Sequence, residues 1–337
     1  MTPNRSFSDV VSGSPLADEM RAGLAAVETR LREAVKSDDP FVSEAARHLV
    51  EAGGKRFRPM VVLTASQFGN PDAVGVVPAA VVVELTHLAT LYHDDVMDEA
   101  PLRRGAPSAN ARWDNTIAIL TGDFLFARAS DILADLGPEA VRIQARTFER
   151  LVTGQIRETV GPTEGQDRVA HYLDVVADKT GSLIATSGRF GAMMAGADEA
   201  TVDVLTRYGE RIGIAFQLSD DILDVASDSF ESGKTPGTDL REGVLTLPML
   251  HALDSDDPAG ARLRELLAGP LVDDALHAEA LGLLRAAPAM DRARSDLRAW
   301  ADSARAVLDP LPERTEVQRA AKDALADLCN LVVSRTA

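Results

Sequence analysis

The stretch that decides the fold is an apolar segment ending in carboxylates, PAAVVVELTHLATLYHDDVMD, which covers residues 78–98. Its apolar residues lack the alternation typical of strands, so the segment predicts one long buried helix. Residues four apart on a helix share a face, which places Asp94 beside Asp98. A second run of the same form, Asp220-Asp221-Ile222-Leu223-Asp224, follows another apolar segment more than a hundred residues later.

Both acidic runs have the pattern DDxxD, and both predict a metal site. Like charges four residues apart on a helix repel by a few tenths of a kcal/mol, and burial makes them far more costly unless cations neutralise them. Carboxylates without His or Cys suit Mg²⁺, which proteins hold through a few carboxylates together with a substrate's phosphates. A single such run is more often a solvated face, since Asp and Glu number 52 of 337 residues. Two runs, each preceded by apolar sequence, favour two sets of carboxylates that bind a diphosphate through Mg²⁺. We call residues 94–98 the first plate and residues 220–224 the second plate.

Composition and charge indicate the class of protein. Aromatic residues make up only 4% of the chain, and Ala, Leu and Val dominate long segments, which predicts an all-α protein. The length would allow two domains, but the motifs that act together lie within residues 53–239, so we expect one domain over residues 16–337 after a disordered tail, residues 1–15. The net charge of −17 argues against nucleic acid as the main partner.

The location of the protein is predicted from its cysteine content and its apolar segments. Cys329 is the single cysteine, so no internal disulfide can form, and a reducing, cytoplasmic setting is expected. Residues 1–15 lack the apolar core of a signal peptide. The most apolar window, residues 74–83, is shorter than the about 20 residues that span a bilayer, so no transmembrane segment is predicted.

The helix predicted for residues 78–98 carries polar groups on one face. Glu84, His87 and Asp94 recur at spacings of three and four or their sums, and polar groups in so apolar a helix must meet partners or line a cavity. His87 suits either a core histidine or a ligand-binding residue, and the spacing leaves both open. Ala89 and Thr90 lie just before the first plate, where they would wall any tunnel leading away from the metal.

Basic residues near each plate could bind an anionic substrate. Gly53-Gly54-Lys55-Arg56-Phe57-Arg58-Pro59 joins two glycines, which let backbone N–H groups approach a phosphate, to three cations. Arg103 and Arg104 follow the first plate, and guanidinium groups bind phosphate oxygens in pairs. Either cluster could also be an ordinary surface loop.

Three further residues are candidates near the second plate. Lys179 and Thr180 are adjacent, although a lone Lys is most often solvated or paired with its neighbour Asp178. Gln217 lies three residues before Asp220 and shares its face, where its amide carbonyl could meet a developing positive charge. Lys234 follows within Gly233-Lys234-Thr235, which lacks the full spacing of a P-loop.

Taken together, these motifs resemble the trans-isoprenyl (polyprenyl) diphosphate synthases, and among them the bacterial long-chain type. The resemblance covers the chain from residue 16 onwards. It implies a bundle of long antiparallel helices around a deep central cavity, usually in a homodimer. It also implies head-to-tail (1′-4) condensation of isopentenyl diphosphate with an allylic diphosphate primer to give an all-trans polyprenyl diphosphate, a product apolar enough to pass to a membrane.

The resemblance also implies roles for individual residues. The metal ligands would be Asp94, Asp98 and Asp220, supported by Asp95, Asp221 and Asp224, with about three Mg²⁺ ions per active site. The allylic diphosphate would be held by Arg103, Lys179 and Lys234, isopentenyl diphosphate by Gly54, Lys55, Arg58, His87 and Arg104, and the carbocation would be faced by Thr180 and Gln217. Many members have a Lys after the Gly of a GKxTLP run, but this chain has Val244 there, so position 244 is given no binding role.

Alternatives remain within and beyond this family. Class I terpene cyclases and head-to-head synthases share the Asp clusters but need no isopentenyl diphosphate site, and regulatory subunits typically lose one Asp plate. A di-iron helical bundle would need Glu-x-x-His pairs on facing helices. Small residues at Ala89 and Thr90 predict a product longer than C20, between C30 and C50, and the alternative is a C15–C20 farnesyl or geranylgeranyl diphosphate synthase.

Overall fold

The computed structural model describes residues 7–227, 236–255 and 258–336. The helices of these residues are α1 Phe7–Val11, α2 Ala17–Ala34, α3 Pro40–Glu51, α4 Phe57–Ala65, α5 Val76–Met97, α6 Ala109–Arg112, α7 Asn115–Leu136, α8 Pro138–Val160, α9 Arg168–Val176, α10 Ser182–Met194, α11 Glu199–Ala226, α12 Thr238–Glu242, α13 Leu247–Leu253, α14 Pro258–Leu266, α15 Asp274–Ala286, α16 Ala289–Val307 and α17 Glu316–Ser334. Sheet in this part of the chain is confined to one hairpin, β1 Leu102–Arg103 and β2 Ala106–Pro107. The all-α prediction is confirmed.

The chain divides into two compact units. Unit 1 comprises residues 1–149, 183–209 and 307–327, and unit 2 comprises residues 150–182, 210–306 and 328–337. Each unit is therefore assembled from several separate stretches of sequence. The prediction of one domain over residues 16–337 stays a prediction.

Several helices begin at an aspartate that the sequence supplies for that purpose. Asp39, Asp114, Asp167 and Asp273 stand immediately before α3, α7, α9 and α15, and each carboxylate accepts a hydrogen bond from at least one backbone N–H of the first turn. Such caps satisfy donors that the helix itself leaves without partners and contribute about 1 kcal/mol each.

Helix α5 is the centre of unit 1. Nearly all of its first four turns is buried, and Val81, Val82 and Leu85 have no exposed surface. Helix α7 approaches it closely at Gly122, where an added Cβ would lie 2.3 Å from the His93 ring and 3.1 Å from the Ala89 carbonyl oxygen. Helix α5 is long and apolar enough to cross a membrane, but 67% of its apolar window is buried inside the protein, as in the core helix of a globular fold.

The N-terminal segment differs from its prediction. We expected residues 1–15 to be disordered, yet α1 forms at Phe7–Val11, and Phe7 and Val11 are buried. The Phe7 ring packs against Phe57 of α4 with 6.0 Å between centroids. Two apolar residues four apart were enough to attach this segment to unit 1, although the polar composition around them indicated a tail. Residues 1–6 lie outside the described residues.

In unit 2, α17 continues to the end of the described chain beside α11. Ser219 Oγ donates to the Val332 carbonyl at 3.0 Å, and Arg294 Nε donates to the Thr336 carbonyl at 3.1 Å. The last residues of the chain are therefore held against the helix that carries the second DDxxD run.

Candidate active site

The first DDxxD run lies at the C-terminal end of α5, and Asp98 occupies the position just after the helix. Asp94 is half-buried, Asp95 is fully buried and Asp98 is exposed. Helix C-termini carry partial negative charge, so three carboxylates there require cations nearby. Arg103 supplies one, because its Nε donates to Asp95 Oδ1 at 2.5 Å.

One oxygen of the Asp95 carboxylate could still ligate a cation or accept a hydrogen bond. Its Oδ2 is buried and accepts no hydrogen bond from the described residues. Burial raises the pKa of Asp95, and the Arg103 guanidinium opposes that rise. A buried carboxylate oxygen without a partner costs free energy, so this end of α5 is suited to a further cation or hydrogen-bond donor.

The loop after α5 is shaped to direct both arginines. Glu99, Arg104 and Gly105 have positive φ angles. Arg104 and Gly105 connect β1 to β2, and the hairpin pairs Arg103 with Ala106. Arg103 consequently reaches Asp95, while Arg104 donates to the Leu49 carbonyl at 3.1 Å and to the Gly53 carbonyl. Unit 1 thus brings the first plate, the Arg pair and the Gly53-Gly54 turn together.

The basic cluster of unit 1 contains one cation that is fully paired and one that is not. Arg56 is 7% exposed and pairs with Glu28 at 2.5 Å and with Glu84 at 2.9 Å. Arg58 lies in the first turn of α4, two residues after Arg56, and its Nε is buried with no hydrogen-bond partner among the described residues. Burial lowers the pKa of Arg58 to about 10, with Glu84 opposing, so it stays protonated at neutral pH. Arg56 is thus held by two carboxylates, whereas Arg58 keeps a buried N–H group without a partner among the described residues.

The Gly54 position and His87 complete this cluster. Gly54 has φ +151°, and an added Cβ would lie 2.9 Å from the Arg104 guanidinium, so only glycine lets the loop and the arginine approach. Lys55 is exposed beside it. Burial, and then the positive charges of Arg58 and Arg104, hold the pKa of His87 well below its usual value. His87 is therefore a neutral hydrogen-bonding group at pH 7.

The second DDxxD run lies within the last two turns of α11, in unit 2. Asp220 is half-buried, and its Oδ1 accepts from Arg335 at 2.7 Å. Asp221 is buried, with Oδ1 accepting from Gln217 Nε2 at 2.8 Å and Oδ2 accepting from the Tyr172 hydroxyl. Burial raises the pKa of Asp221 to about 7, although the Tyr172 and Gln217 hydrogen bonds lower it.

Asp224, the last carboxylate of this run, binds the N-terminal end of α12. Its oxygens accept from the backbone N–H groups of Thr238 at 3.1 Å and Asp239 at 3.2 Å. The Gly237 N–H also donates to the Asp224 carbonyl oxygen at 2.8 Å. The segment around Gly237 is thereby tied to the second plate. Lys234, predicted to bind diphosphate, lies outside the described residues.

Lys179 and Thr180 lie in a π-helical turn, Ala177–Gly181, between α9 and α10. Such turns are rare and frequently mark functional sites. Lys179 Nζ contacts Glu158 Oε2 at 2.5 Å, not Asp178, which was the predicted structural partner. Asp178 instead accepts from Arg150 and Arg157.

Thr180 meets a second predicted residue across this turn. Its hydroxyl lies 3.1 Å from Gln217 Oε1 and donates to it. Unit 2 therefore brings Thr180, Gln217 and the second plate together.

Sequence reasoning missed three residues that contact the predicted ones. Tyr172, Glu158 and Arg335 touch Asp221, Lys179 and Asp220, respectively. None belongs to a motif, and each reaches its partner across at least 21 positions in the chain. Only the scarcity of Tyr, with three in 337 residues, could have drawn attention to Tyr172.

The ligand atoms that the two DDxxD runs offer are all carboxylate oxygens, and such oxygens suit Mg²⁺. Among residues 7–227, 236–255 and 258–336, no three His, Cys, Asp or Glu side chains are grouped closely enough to form a complete metal site. The individual carboxylates are instead held by their own partners, as described for Asp95 and Asp221. A metal at either plate would therefore need ligands from its substrate as well, as Mg²⁺ commonly does.

Comparisons with known proteins agree with this geometry. The polyprenyl synthetase family model matches residues 39–282. Nonaprenyl diphosphate synthase of Mycobacterium tuberculosis is 52% identical over 98% of this chain and 99% of its own. Geranylgeranyl pyrophosphate synthase of Corynebacterium glutamicum, crystallised with calcium and isoprenyl diphosphate, is 47% identical over 96% of this chain and 98% of its own, with a TM-score of 0.84. Polyprenyl synthase of Caulobacter crescentus, also with calcium and isoprenyl diphosphate, is 32% identical over the whole of both chains, with a TM-score of 0.88.

An all-α fold with two DDxxD runs and a basic Gly-Gly turn defines a class of prenyltransferases. The chain belongs to the polyprenyl synthetase family.

Proposed function

We propose that this enzyme condenses isopentenyl diphosphate head-to-tail with an allylic diphosphate, in a Mg²⁺-dependent reaction that yields an all-trans polyprenyl diphosphate longer than C20. The observation that carries the proposal is the retention of both DDxxD runs and the Gly54–Arg58 cluster in a chain 52% identical to a nonaprenyl diphosphate synthase. Terpene cyclases need no such cluster, and regulatory subunits lose a plate.

The metal would be held by Asp94, Asp98 and Asp220, with Asp95, Asp221 and Asp224 in support. Mg²⁺, about three ions by family resemblance, supplies charge stabilisation for the departing diphosphate. The chain's own cations add to it: Arg103, Lys179 and Lys234 would hold the allylic diphosphate, and such preorganised charge is commonly the largest single contribution to catalysis.

The second substrate would bind at the basic cluster of unit 1. A diphosphate would be bound there by Arg104, Lys55, the Gly54 backbone and Arg58, whose buried Nε has no partner among the described residues. Neutral His87 would add a hydrogen bond there without adding charge. Thr180 and the Gln217 carbonyl would face the allylic cation, and apolar surroundings would keep water from quenching it. The proton lost after carbon–carbon bond formation would go to the departing diphosphate.

The product length rests on the face of α5 that carries Asp94. Thr90 lies one turn before Asp94 on that face and is half-buried, whereas Ala89 is completely buried. A small residue one turn from the plate leaves room for a growing chain, and each open turn of about 5.4 Å admits roughly one isoprene unit. This supports a product between C30 and C50. A C15–C20 product is the alternative, favoured by the similarity to a geranylgeranyl pyrophosphate synthase.

A homodimer in the cytoplasm is part of the proposal. Helix α7 exposes Ile119 and Leu120, which are 43% and 57% exposed, on consecutive positions of one surface. Apolar residues so exposed suit an interface between copies. Light scattering should give twice the chain mass of 35.9 kDa, and a monomer would refute this part of the proposal.

The reaction is tested directly by incubating the protein with labelled isopentenyl diphosphate, an allylic primer and Mg²⁺. We expect incorporation of label into long prenyl diphosphates, resolved by chromatography after removal of the diphosphate. Release of diphosphate without incorporation would indicate a cyclase, and turnover only after adding another subunit would indicate a regulatory role.

A further inference from the structure

Four side chains of unit 2 form a chain of hydrogen bonds that runs from Tyr172 to Thr180. The Tyr172 hydroxyl of α9 donates to Asp221 Oδ2, Gln217 Nε2 donates to Asp221 Oδ1 at 2.8 Å, and Thr180 Oγ1 donates to Gln217 Oε1 at 3.1 Å. Tyr172 is remote in sequence from Asp221 and belongs to none of the motifs.

The chemistry of these groups determines which way the Gln217 amide points. Gln217 Nε2 donates to Asp221 Oδ1 and Gln217 Oε1 accepts from Thr180, so the –NH₂ faces Asp221 and the carbonyl oxygen faces Thr180. Without Asp221 the amide could rotate by half a turn and present its –NH₂ on the Thr180 side instead. A donor there would repel the positive charge that a carbonyl oxygen stabilises.

Asp221 can perform this task only if it is itself held still. It is 5% exposed, and each of its oxygens accepts a hydrogen bond from a neutral side chain. Gln217 lies one turn before it on α11, so that contact comes from the helix itself. The contact from Tyr172 comes from α9 and is therefore the one that depends on tertiary structure.

We propose that Tyr172 is a positioning residue for prenyl transfer, which acts through Asp221 to keep the Gln217 carbonyl directed towards the reacting cation. Asp221 then supports the site by orienting Gln217 and does not itself ligate the metal. The inference rests on the proposed function, because it assumes that Gln217 faces the allylic cation.

The first test is Tyr172→Phe, measured by steady-state kinetics. We expect kcat to fall about 10-fold or more, as for other residues that orient a group in contact with the reaction, while KM for isopentenyl diphosphate stays within about 2-fold. The matched control is Tyr208→Phe, which removes another buried hydroxyl, one that donates to the Leu325 carbonyl at 2.7 Å. Tyr208→Phe should lower thermal stability by a similar amount and leave kcat unchanged. An unchanged kcat in Tyr172→Phe would overturn the proposal.

A double-mutant cycle distinguishes positioning from a general structural role. In a Gln217→Ala background, Tyr172→Phe should lower kcat by less than about 2-fold further, since the group it orients is gone. Additive losses in the two variants would contradict the relay from Tyr172 to Gln217.

Metal binding tests the role given to Asp221 without relying on turnover. Mg²⁺ and inorganic pyrophosphate are titrated into Asp221→Asn and into wild type, with the shift in unfolding temperature as the readout. We expect an apparent Mg²⁺ affinity within about 3-fold of wild type, because an orienting residue does not ligate the metal. A loss of 10-fold or more would show that Asp221 acts on the metal, directly or through a ligand, and would overturn the role given to it. Wild-type turnover is measured alongside, so failure of wild type to use the substrates would reject the proposed function itself, whereas normal wild-type turnover with normal Tyr172→Phe kcat would reject only this inference.

Discussion

The two DDxxD runs have the same pattern and lie at similar places on their helices, yet their middle carboxylates have different partners. Asp95 is buried against a cation, Arg103, at 2.5 Å. Asp221 is equally buried, but it is held by the neutral side chains of Tyr172 and Gln217. Arg103 opposes the rise in the pKa of Asp95, whereas burial raises the pKa of Asp221 to about 7. The same residues at the same spacing thus acquire different electrostatics from the elements packed against them.

The residues that precede the runs differ as well. Four positions before the first Asp of each run, α5 has Thr90 and α11 has Phe216. Phe216 lies under the Arg335 guanidinium, 5.1 Å from its ring centroid, and Arg335 also binds Asp220. The first run therefore has a small neighbour on its own face, and the second has a ring and a cation.

The largest effect is expected from removing the leading carboxylate of either run. Asp94→Ala and Asp220→Ala should each lower kcat by about 10³-fold or more, because each removes charge stabilisation of the departing diphosphate. Both residues are half-buried, so the fold should survive. Circular dichroism and turnover at saturating Mg²⁺ check this. Near-normal turnover in one variant would show that the leading carboxylate of that run is not required for catalysis.

The cations near each run should serve different substrates. Lys55→Ala and Arg58→Ala, in the cluster of unit 1, should raise KM for isopentenyl diphosphate by about 10-fold or more, since each removes a charge-assisted contact of about 1.5–3 kcal/mol. Lys179→Ala, beside the second run, should instead raise KM for the allylic primer. Lys322→Ala provides a control, because its Nζ pairs with Glu313 away from both runs. Equal shifts in both constants for all three variants would refute the division.

Removing the partner of the buried carboxylate should destabilise the fold more at the first run, where Asp95 is paired with a cation, than at the second. Arg103→Ala should lower the free energy of unfolding by about 3 kcal/mol, because it leaves a buried carboxylate without its cation. Tyr172→Phe, which removes one neutral hydrogen bond from Asp221, should cost about 1 kcal/mol. Urea unfolding without Mg²⁺ measures both. A larger loss in Tyr172→Phe would reverse the comparison.

Product length should respond to the neighbour of the first run. Thr90→Phe places on α5 the ring that α11 already carries four residues before its run, and it should shorten the product to C15–C20. Ala89→Phe is the less direct variant, because Ala89 is fully buried and a ring there would overpack the core at a cost of about 1–3 kcal/mol. Chromatography of the dephosphorylated products decides the matter. A wild-type product of C15 or C20 would refute the long-chain proposal and leave the reaction type standing.

The smallest effect is expected at Arg335. Its pair with Asp220 is 15% and 42% exposed at the two side chains, so it contributes no more than about 1 kcal/mol to stability. Arg335→Gln should raise the apparent Mg²⁺ affinity by a few-fold, because Asp220 no longer shares its charge with a guanidinium. Arg294→Gln, whose side chain holds the Thr336 carbonyl, controls for loosening of the C-terminus. Weaker Mg²⁺ binding in Arg335→Gln would show that the arginine assists the metal site.

The sequence alone determined the reaction class, the all-α fold and the helices that carry both runs. The reaction class depends on the resemblance of the ordered motifs to one family. Helical spacing indicates which carboxylates share a face, and apolar sequence without strand alternation indicates where the helices lie. The prediction of a disordered residue 1–15 segment was wrong at Phe7–Val11, since two buried apolar residues sufficed to attach it to α4.

Only the tertiary structure decided which partner each residue has. The DDxxD pattern does not indicate that Asp95 binds Arg103 or that Asp221 binds Tyr172. Likewise, the sequence around Lys179 does not indicate that this residue contacts Glu158 and not Asp178. Nor does the sequence distinguish the paired Arg56 from Arg58, whose buried Nε has no partner among the described residues. Burial and charge pairing depend on groups brought together from distant positions, and a sequence pattern records spacing along the chain but not distance through space.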